Sequence, residues 1–158
     1  NQYTSLDQKP RLYDKNANLK NATGSKFFYD YDNRLVSVED ILGVVKASYT
    51  YAADGRRVLK KVGTAPEVVT RFLYDGWQVI EERSGTAENS PVLRQYIDGR
   101  GIDEHIQMRT YSGELKKDYY YHCNDQGFVG ALSGADGKVV EYYKYDWLGR
   151  VTVLKAFN

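Results

Sequence analysis

Short runs in which hydrophobic and polar residues alternate predict β-strands along most of the chain. One example has Tyr51 before, and Val58 after, the dipeptide Asp54-Gly55. Alternating or β-branched residues on both sides of Asp-Gly are typical of a β-hairpin, and the dipeptide predicts a type I′ turn with two positive φ values. Apolar residues in the stretch 101–109 have near-helical spacing, but that stretch is too short to outweigh the strands around it.

The same hairpin pattern recurs along the chain. Each copy has an anchoring tyrosine, then Asp with Gly or Asn, then Arg or Gln beside an apolar residue; the anchors are Tyr13, Tyr29, Tyr51, Tyr74, Tyr96, Tyr121 and Tyr145. Their spacing is mostly about 20 to 25 residues, which is typical of a repeat array. Because one hairpin alone is marginally stable, we predict an all-β fold of tandem antiparallel β-hairpins in an open, curved or spiralling sheet. A propeller with four-stranded blades is the alternative fold.

The copies differ in the length of their turns and in how closely they follow the repeat pattern. Gly127 and Gly149 follow an aspartate by two or three positions, which predicts longer loops with glycine in the left-handed conformation. The copy at Tyr13 has Asn18 where later copies have glycine. We therefore predict a poorly patterned start over residues 1–20 and a hairpin array over residues 21–158.

The repeat-motif residues are predicted to have structural roles. Tyrosine rings pack against neighbouring hairpins, Asp and Gly form the turns, and the Arg after a turn covers a ring or pairs with the preceding Asp. These residues are Tyr29, Asp30, Arg34, Tyr51, Asp54, Gly55, Arg56, Tyr74, Asp75, Gly76, Tyr96, Asp98, Gly99, Tyr121, Tyr145, Asp146, Gly149 and Arg150.

The amino-acid composition excludes several classes of protein for this chain. The 158 residues include 22 Lys and Arg against 21 Asp and Glu, a net charge of +1 that does not favour binding to nucleic acid or anionic membranes. One Cys and two His exclude a disulfide scaffold and a Cys/His zinc module. No signal peptide or membrane-spanning segment is present, and the missing initiating Met indicates a piece of a longer chain.

The repeats resemble those of a known family. The segments YDYDNRLVSV, YAADGRRVLKKV and YDWLGRVTVL look like the YD repeats of RHS-repeat proteins, and residues 119–154 resemble the passage that leads into the RHS-associated core. In that family such hairpins form a β-shell around a C-terminal toxin, or part of an extracellular adhesion protein. The core motifs themselves do not occur in this sequence.

The resemblance implies a structural function. It predicts a secreted or cell-surface repeat protein whose segment contacts neighbouring repeats and encapsulates a toxin or other C-terminal cargo domain of its parent. Exposed strand edges predict self-association. The alternative is extracellular adhesion or binding of carbohydrate or cell wall through the aromatic repeats. Nucleic acid is not predicted as a partner.

Candidate catalytic and metal-binding groups favour structural interpretations. His122 and Cys123 are adjacent on a strand, so one side chain is expected to pack and the other to be exposed. The group Asp103, Glu104 and His105 could transfer protons but lacks a nucleophile, which favours a solvated loop.

Asp30 and Asp32 share a strand face, as a calcium site requires, but the adjacent Asn33 favours a turn. No nucleophile with its base is recognisable. We therefore predict no catalytic residue, no metal site, no cofactor and no enzyme activity.

Overall fold

A computed structural model describes residues 5–6, 9–101 and 104–155 of the chain. Within these residues it consists of β-strands joined by turns, and they include no helix. The strand pairs among the described residues are antiparallel, and the strands follow one another in chain order in one open sheet. The prediction of an all-β fold of antiparallel hairpins is confirmed.

Packing divides the chain into two units, residues 1–72 with 84–90 and residues 73–83 with 91–158. The first unit contains β1 (Ser5–Leu6), β2 (Lys9–Tyr13), β3 (Leu19–Ala22), β4 (Ser25–Tyr29), β5 (Leu35–Asp40), β6 (Val45–Tyr51), β7 (Arg57–Val62) and most of β8 (Val68–Asp75). Strands β2 and β3 pair within the part of the chain that the sequence marked only weakly.

The second unit contains the end of β8 and most of β9 (Gln78–Ser84). Its remaining strands are β10 (Val92–Asp98), β11 (His105–Ser112), β12 (Leu115–Cys123), β13 (Val129–Gly134), β14 (Val139–Tyr145) and β15 (Val151–Lys155). The stretch with near-helical spacing therefore leads into a strand, β11.

Few side chains of this sheet are fully buried. The buried apolar residues among those described are Ala22, Ala47 and Leu132, and none of the described large side chains is completely enclosed. Most strand residues are half-buried, because each face of the sheet is covered mainly by neighbouring side chains of the same face. Contacts between adjacent strands therefore supply much of the stability.

Seven of the hairpin connections in the described part of the chain share one five-residue turn. In each, the first N–H donates to the fifth carbonyl and the fourth N–H donates to the first carbonyl; the turns are 14–18, 30–34, 40–44, 52–56, 124–128, 134–138 and 146–150. The fourth residue has a positive φ: Ala17, Asn33, Gly43, Gly55, Gly127, Gly137 and Gly149. This geometry is a type I turn followed by a left-handed residue in a β-bulge.

The type I′ prediction for Asp54-Gly55 is wrong. Gly55 has a φ of 90°, whereas Asp54 is not among the residues with positive φ. The Asp54 carboxylate instead accepts the N–H of Arg56 at 3.0 Å, which holds the longer turn. Two adjacent positive φ values occur elsewhere, at Thr23 (54°) and Gly24 (82°), between β3 and β4.

Substitution at the fourth turn position should change stability in a direction set by the residue already there. A Cβ at Gly55 would meet no atom within 4 Å, so Gly55→Ala has only the backbone cost of a left-handed alanine. We expect a loss of about 1 kcal/mol in the free energy of unfolding. Ala17 already has a φ of 69°, so the reciprocal change Ala17→Gly should not destabilise the chain and should stabilise it slightly.

Urea denaturation of both variants and the unchanged chain measures these differences. Equal losses of stability in Gly55→Ala and Ala17→Gly would contradict the assignment of the left-handed position.

Candidate functional site

Tyrosine hydroxyls connect successive hairpins. Tyr29 donates to the carbonyl of Leu19 at 3.1 Å, Tyr51 to that of Leu35 at 2.8 Å, and Tyr145 to that of Val129 at 3.0 Å. Each acceptor is the first residue after the five-residue turn of the preceding hairpin. The repeated tyrosine therefore joins its own hairpin to the one before it.

Arg34 connects a turn to the next tyrosine. Its Nε donates to Asp30 at 2.7 Å, and its Nη2 lies 3.2 Å from Asp32. The guanidinium carbon also lies 5.2 Å from the ring centroid of Tyr51, within the range of a cation–π contact. The Asp30 carboxylate accepts the N–H groups of Asp32 and Arg34 as well, so these two aspartates belong to a turn paired with a cation.

The other repeat-motif residues take several positions. Arg56 lies 2.7 Å from Asp54, and Asp146 accepts the backbone N–H of Arg150 at 2.8 Å. Tyr74 and Asp75 end β8, where Gly76 begins a two-residue loop with a φ of 57°. Gly99 donates its N–H to the carbonyl of Glu104 at 2.7 Å, at the start of the loop between β10 and β11.

Several turn and strand aspartates have pKa values below the ordinary 3.8. The side chain and backbone N–H of Arg56 lower the pKa of Asp54, and the guanidinium of Arg109 lowers that of Asp118. Backbone N–H groups and Lys46 lower the pKa of Asp40. At Asp30 burial raises the pKa, but the hydrogen bonds outweigh burial and the net shift is downward.

These shifts predict that the fold loses stability in acid. A carboxyl group whose pKa is lower in the folded state stabilises the fold above its unfolded value of 3.8 and stops doing so as the pH falls through its folded value. Denaturation midpoints should therefore be flat near about pH 6 and fall below about pH 4. Asp54→Asn should reduce that fall, and an equal midpoint at both pH values would contradict the prediction.

The described side chains best placed for proton transfer are those of Asp98 and His105. Asp98 Oδ1 is hydrogen-bonded to His105 Nδ1, and the Asp98 side chain is only 4% exposed. The His105 ring stacks on Tyr96, with centroids 5.0 Å apart, and is tilted against Tyr121 at 5.5 Å. A carboxylate that orients an imidazole in this way fixes which ring nitrogen is free to exchange a proton.

The surroundings of this pair are also polar. The Tyr96 hydroxyl donates to Glu82 at 2.8 Å, and Arg94 donates to the other Glu82 oxygen at 2.7 Å. Burial and the hydrogen bond to Glu82 raise the pKa of Tyr96.

An open pocket lies beside the pair. His105 contributes to its wall together with Glu104, Tyr121, Cys123 and Asn124. No group of three His, Cys, Asp or Glu side chains suited to a metal ion occurs among the described residues. The arrangement can therefore orient an imidazole at a solvent-accessible pocket.

The sequence grouped His105 with its near neighbours, and the structure pairs it across a hairpin. Asp103 lies outside the described residues, and Glu104 accepts the N–H of Gly101 at 2.8 Å. The partner of His105, Asp98, is seven residues away and was assigned to a turn. The register that joins them shifts between Ile97 and Asp98, and alternation along the sequence cannot locate such a bulge.

The prediction that one of His122 and Cys123 would pack is wrong. Both residues are exposed. A shift of register between them interrupts the regular alternation of faces. His122 Nε2 lies 2.8 Å from Ser133 Oγ on the adjacent strand.

Comparison with known proteins finds relatives with a nuclease name. No protein-family model matches the chain. It is 31% identical to "tRNA3(Ser)-specific nuclease WapA" of Bacillus spizizenii and 31% identical to "tRNA nuclease WapA" of Bacillus subtilis. It is 32% identical to "tRNA(Glu)-specific nuclease WapA" of Bacillus subtilis subsp. natto. Each match covers 163 aligned residues, 99% of this chain and 6% of the relative.

These names correct the identification made from the sequence. From its sequence the chain was identified as a YD-repeat or RHS-repeat segment with a structural role in a shell. Adhesion or carbohydrate binding was the alternative function, and enzyme activity was not predicted. The matched proteins are named as tRNA nucleases, so these predictions are wrong. Resemblance of the short repeats led to them, because the repeat pattern reflects hairpin geometry and carries no information on the reaction of the whole protein.

No helix among the described residues is long and apolar enough to cross a membrane.

Proposed function

We propose that this chain is part of a longer protein that cleaves tRNA. One observation carries the proposal: 31–32% identity, over 99% of the chain, to three proteins named as WapA tRNA nucleases. The chain corresponds to 6% of the length of each, so we assign cleavage to the longer parent protein as a whole. No residue of this chain is assigned to the reaction.

A tRNA substrate is compatible with the small net charge of this chain. The value of +1 belongs to these 158 residues and does not set the charge of the rest of the parent. Binding of a polyanion depends on local clusters of Lys and Arg, which can lie anywhere along the parent. The prediction that nucleic acid is not a partner was based on the charge of these 158 residues, and it stays a prediction.

Cleavage of purified tRNA by the purified parent tests the proposal. We expect intact tRNA to disappear and shorter fragments to appear on a denaturing gel, with heat-inactivated parent as the control. Undamaged tRNA after prolonged incubation with folded parent would contradict the proposal. The isolated 158-residue chain belongs in the same assay. If it cleaves tRNA by itself, the catalytic residues lie within it, and His105 is the first to replace.

We also propose that the parent is secreted or displayed at the cell surface. An active tRNA nuclease in the cytosol would stop translation in the cell that makes it, so export protects the producer. Fractionation of producing cells, with an antibody against this segment, should detect the parent in the medium or on the surface. Detection in the cytosol alone would contradict this localisation.

A further inference from the structure

The four Asp-Gly pairs of the sequence lie in two kinds of place. Asp75 and Asp98 are the last residues of strands β8 and β10, so their backbones belong to the sheet. Asp54 and Asp136 instead occupy the third position of two five-residue turns, and the glycine after each occupies the fourth position with a positive φ. These two pairs therefore share one turn geometry.

An aspartate followed by glycine can form a five-membered succinimide ring. The glycine nitrogen attacks the carboxyl carbon of the protonated side chain, a C–N bond forms, and the carboxyl hydroxyl leaves as water with the proton of the peptide nitrogen. Water then opens the ring at either carbonyl and gives aspartate or isoaspartate, in which the side-chain carbon has entered the main chain. Glycine favours ring closure because it has no Cβ beside the attacking nitrogen. A Cβ at Gly55 or Gly137 would meet no atom within 4 Å, so no neighbouring atom crowds either glycine.

The two turns differ in the cation beside the aspartate. Asp54 Oδ2 lies 2.8 Å from Arg56 Nε and 2.7 Å from Arg56 Nη2. Asp136 Oδ2 lies 3.9 Å from Lys138 Nζ, and the Lys138 side chain is 84% exposed. In both turns the other carboxylate oxygen accepts the N–H of the fifth residue, at 3.0 Å in the first and 3.1 Å in the second. The strength of the ion pair is therefore the main difference between the two carboxyl groups.

The guanidinium of Arg56 opposes ring closure in two ways. The Asp54 carboxylate must break its contacts with Arg56 before it can turn towards the nitrogen of Gly55. The hydrogen bond from the Arg56 side chain also lowers the pKa of Asp54, which reduces the amount of the protonated acid that can lose water. Lys138 restrains Asp136 much less, because its ammonium group is 3.9 Å away.

We propose that Asp136 is a site of spontaneous modification, at which aspartate converts through a succinimide to isoaspartate, and that Arg56 protects Asp54 from the same reaction. The product adds one carbon to the main chain between the third and fourth positions of the turn. It also displaces the oxygen that accepts the N–H of Lys138. The modified turn therefore holds β13 and β14 together less firmly.

Ageing of the purified parent in mildly acidic buffer tests the proposal. Trypsin releases residues 47–56 and residues 118–138 as separate peptides. Chromatography with electron-transfer fragmentation distinguishes isoaspartate from aspartate in each peptide. We expect isoaspartate to accumulate about threefold faster at Asp136 than at Asp54, the factor that corresponds to one partly exposed ion pair.

Exchange of the two cations provides matched variants. Lys138→Arg should slow the reaction at Asp136 about threefold, and Arg56→Lys should accelerate it at Asp54 by a similar factor. Both changes keep the positive charge and the site of tryptic cleavage. Peptides that are released by trypsin before ageing are the control for local sequence, because they have no turn. In these peptides Asp136 and Asp54 should react at similar rates.

Three results would overturn the proposal. The first is equal accumulation of isoaspartate at Asp54 and Asp136 in the folded parent. The second is a pair of rates that neither Lys138→Arg nor Arg56→Lys changes. The third is a ratio of rates that is the same in the folded parent and in the free peptides. None of these measurements depends on tRNA cleavage, so this inference and the proposed function can fail separately.

Discussion

Replacement of Tyr96 by alanine is expected to cause the largest loss of stability among single changes in the second unit. The ring stacks on His105 at 5.0 Å, and the hydroxyl donates to Glu82 at 2.8 Å. Tyr96→Ala removes both contacts and leaves a gap beside the His105 ring, which is hydrogen-bonded to Asp98. Loss of a large aromatic side chain of this kind lowers the free energy of unfolding by about 3 kcal/mol.

Two further variants separate the contributions to that loss. Tyr96→Phe removes only the hydrogen bond and should cost about 1 kcal/mol. Tyr31→Ala removes a tyrosine that is 88% exposed, and its effect should stay within about 0.5 kcal/mol. Urea denaturation measures all three. Equal effects of Tyr96→Ala and Tyr31→Ala would show that the ring of Tyr96 does not stabilise the sheet.

Replacement of Asn124 by alanine is expected to have the second largest effect. Its Oδ1 accepts the backbone N–H groups of Gln126 at 3.0 Å and Phe128 at 2.9 Å, inside the five-residue turn between β12 and β13. Asn124→Ala leaves these donors without their acceptor, as the loss of a helix N-cap does, and should cost about 1 to 2 kcal/mol.

The acceptor, not the amide, is the stabilising group in this turn. Asp30 and Asp146 occupy the same position in their own turns and accept the same two N–H groups. Asn124→Asp should therefore stay within about 0.5 kcal/mol of the unchanged chain. A loss in Asn124→Asp as large as in Asn124→Ala would mean that the side-chain acceptor does not stabilise the turn.

Much of the fold follows from local sequence, whereas the exact turn does not. Alternating residues and Asp-Gly located the hairpin around Gly55, but the type I′ assignment missed one residue of the loop. In the first copy, Asn18 was taken as the residue in the glycine position. The left-handed residue there is Ala17, and Asn18 Nδ2 instead donates to Asp14 at 3.0 Å. Alanine gives no sequence signal for a positive φ, so this position appears only when the turns are superposed.

The candidate site depended on register, which the sequence pattern does not determine. His105 and Asp98 meet because β10 and β11 pair with a bulge at Ile97 and Asp98. The cluster of acidic residues beside His105 in the sequence suggested a different partner. A hairpin formed by β10 and β11 could have been predicted from the sequence, and it would have suggested that Asp98 and His105 lie near each other. It would not have shown that their side chains form a hydrogen bond.

The relationship to the WapA nucleases lies outside what local patterns can predict. Repeated tyrosines and turn residues determine how hairpins pair, and many proteins with different activities can share the same hairpin fold. The identity of 31–32% is spread over the whole chain, which is information that no single motif contains.

The most direct test of the proposed tRNA cleavage is the length of tRNA after incubation with the purified parent, measured beside 5S ribosomal RNA in the same tube. We expect the tRNA to be cut while the ribosomal RNA stays intact, because the matched proteins are named for tRNA. Intact tRNA, or equal degradation of both RNAs, would contradict it.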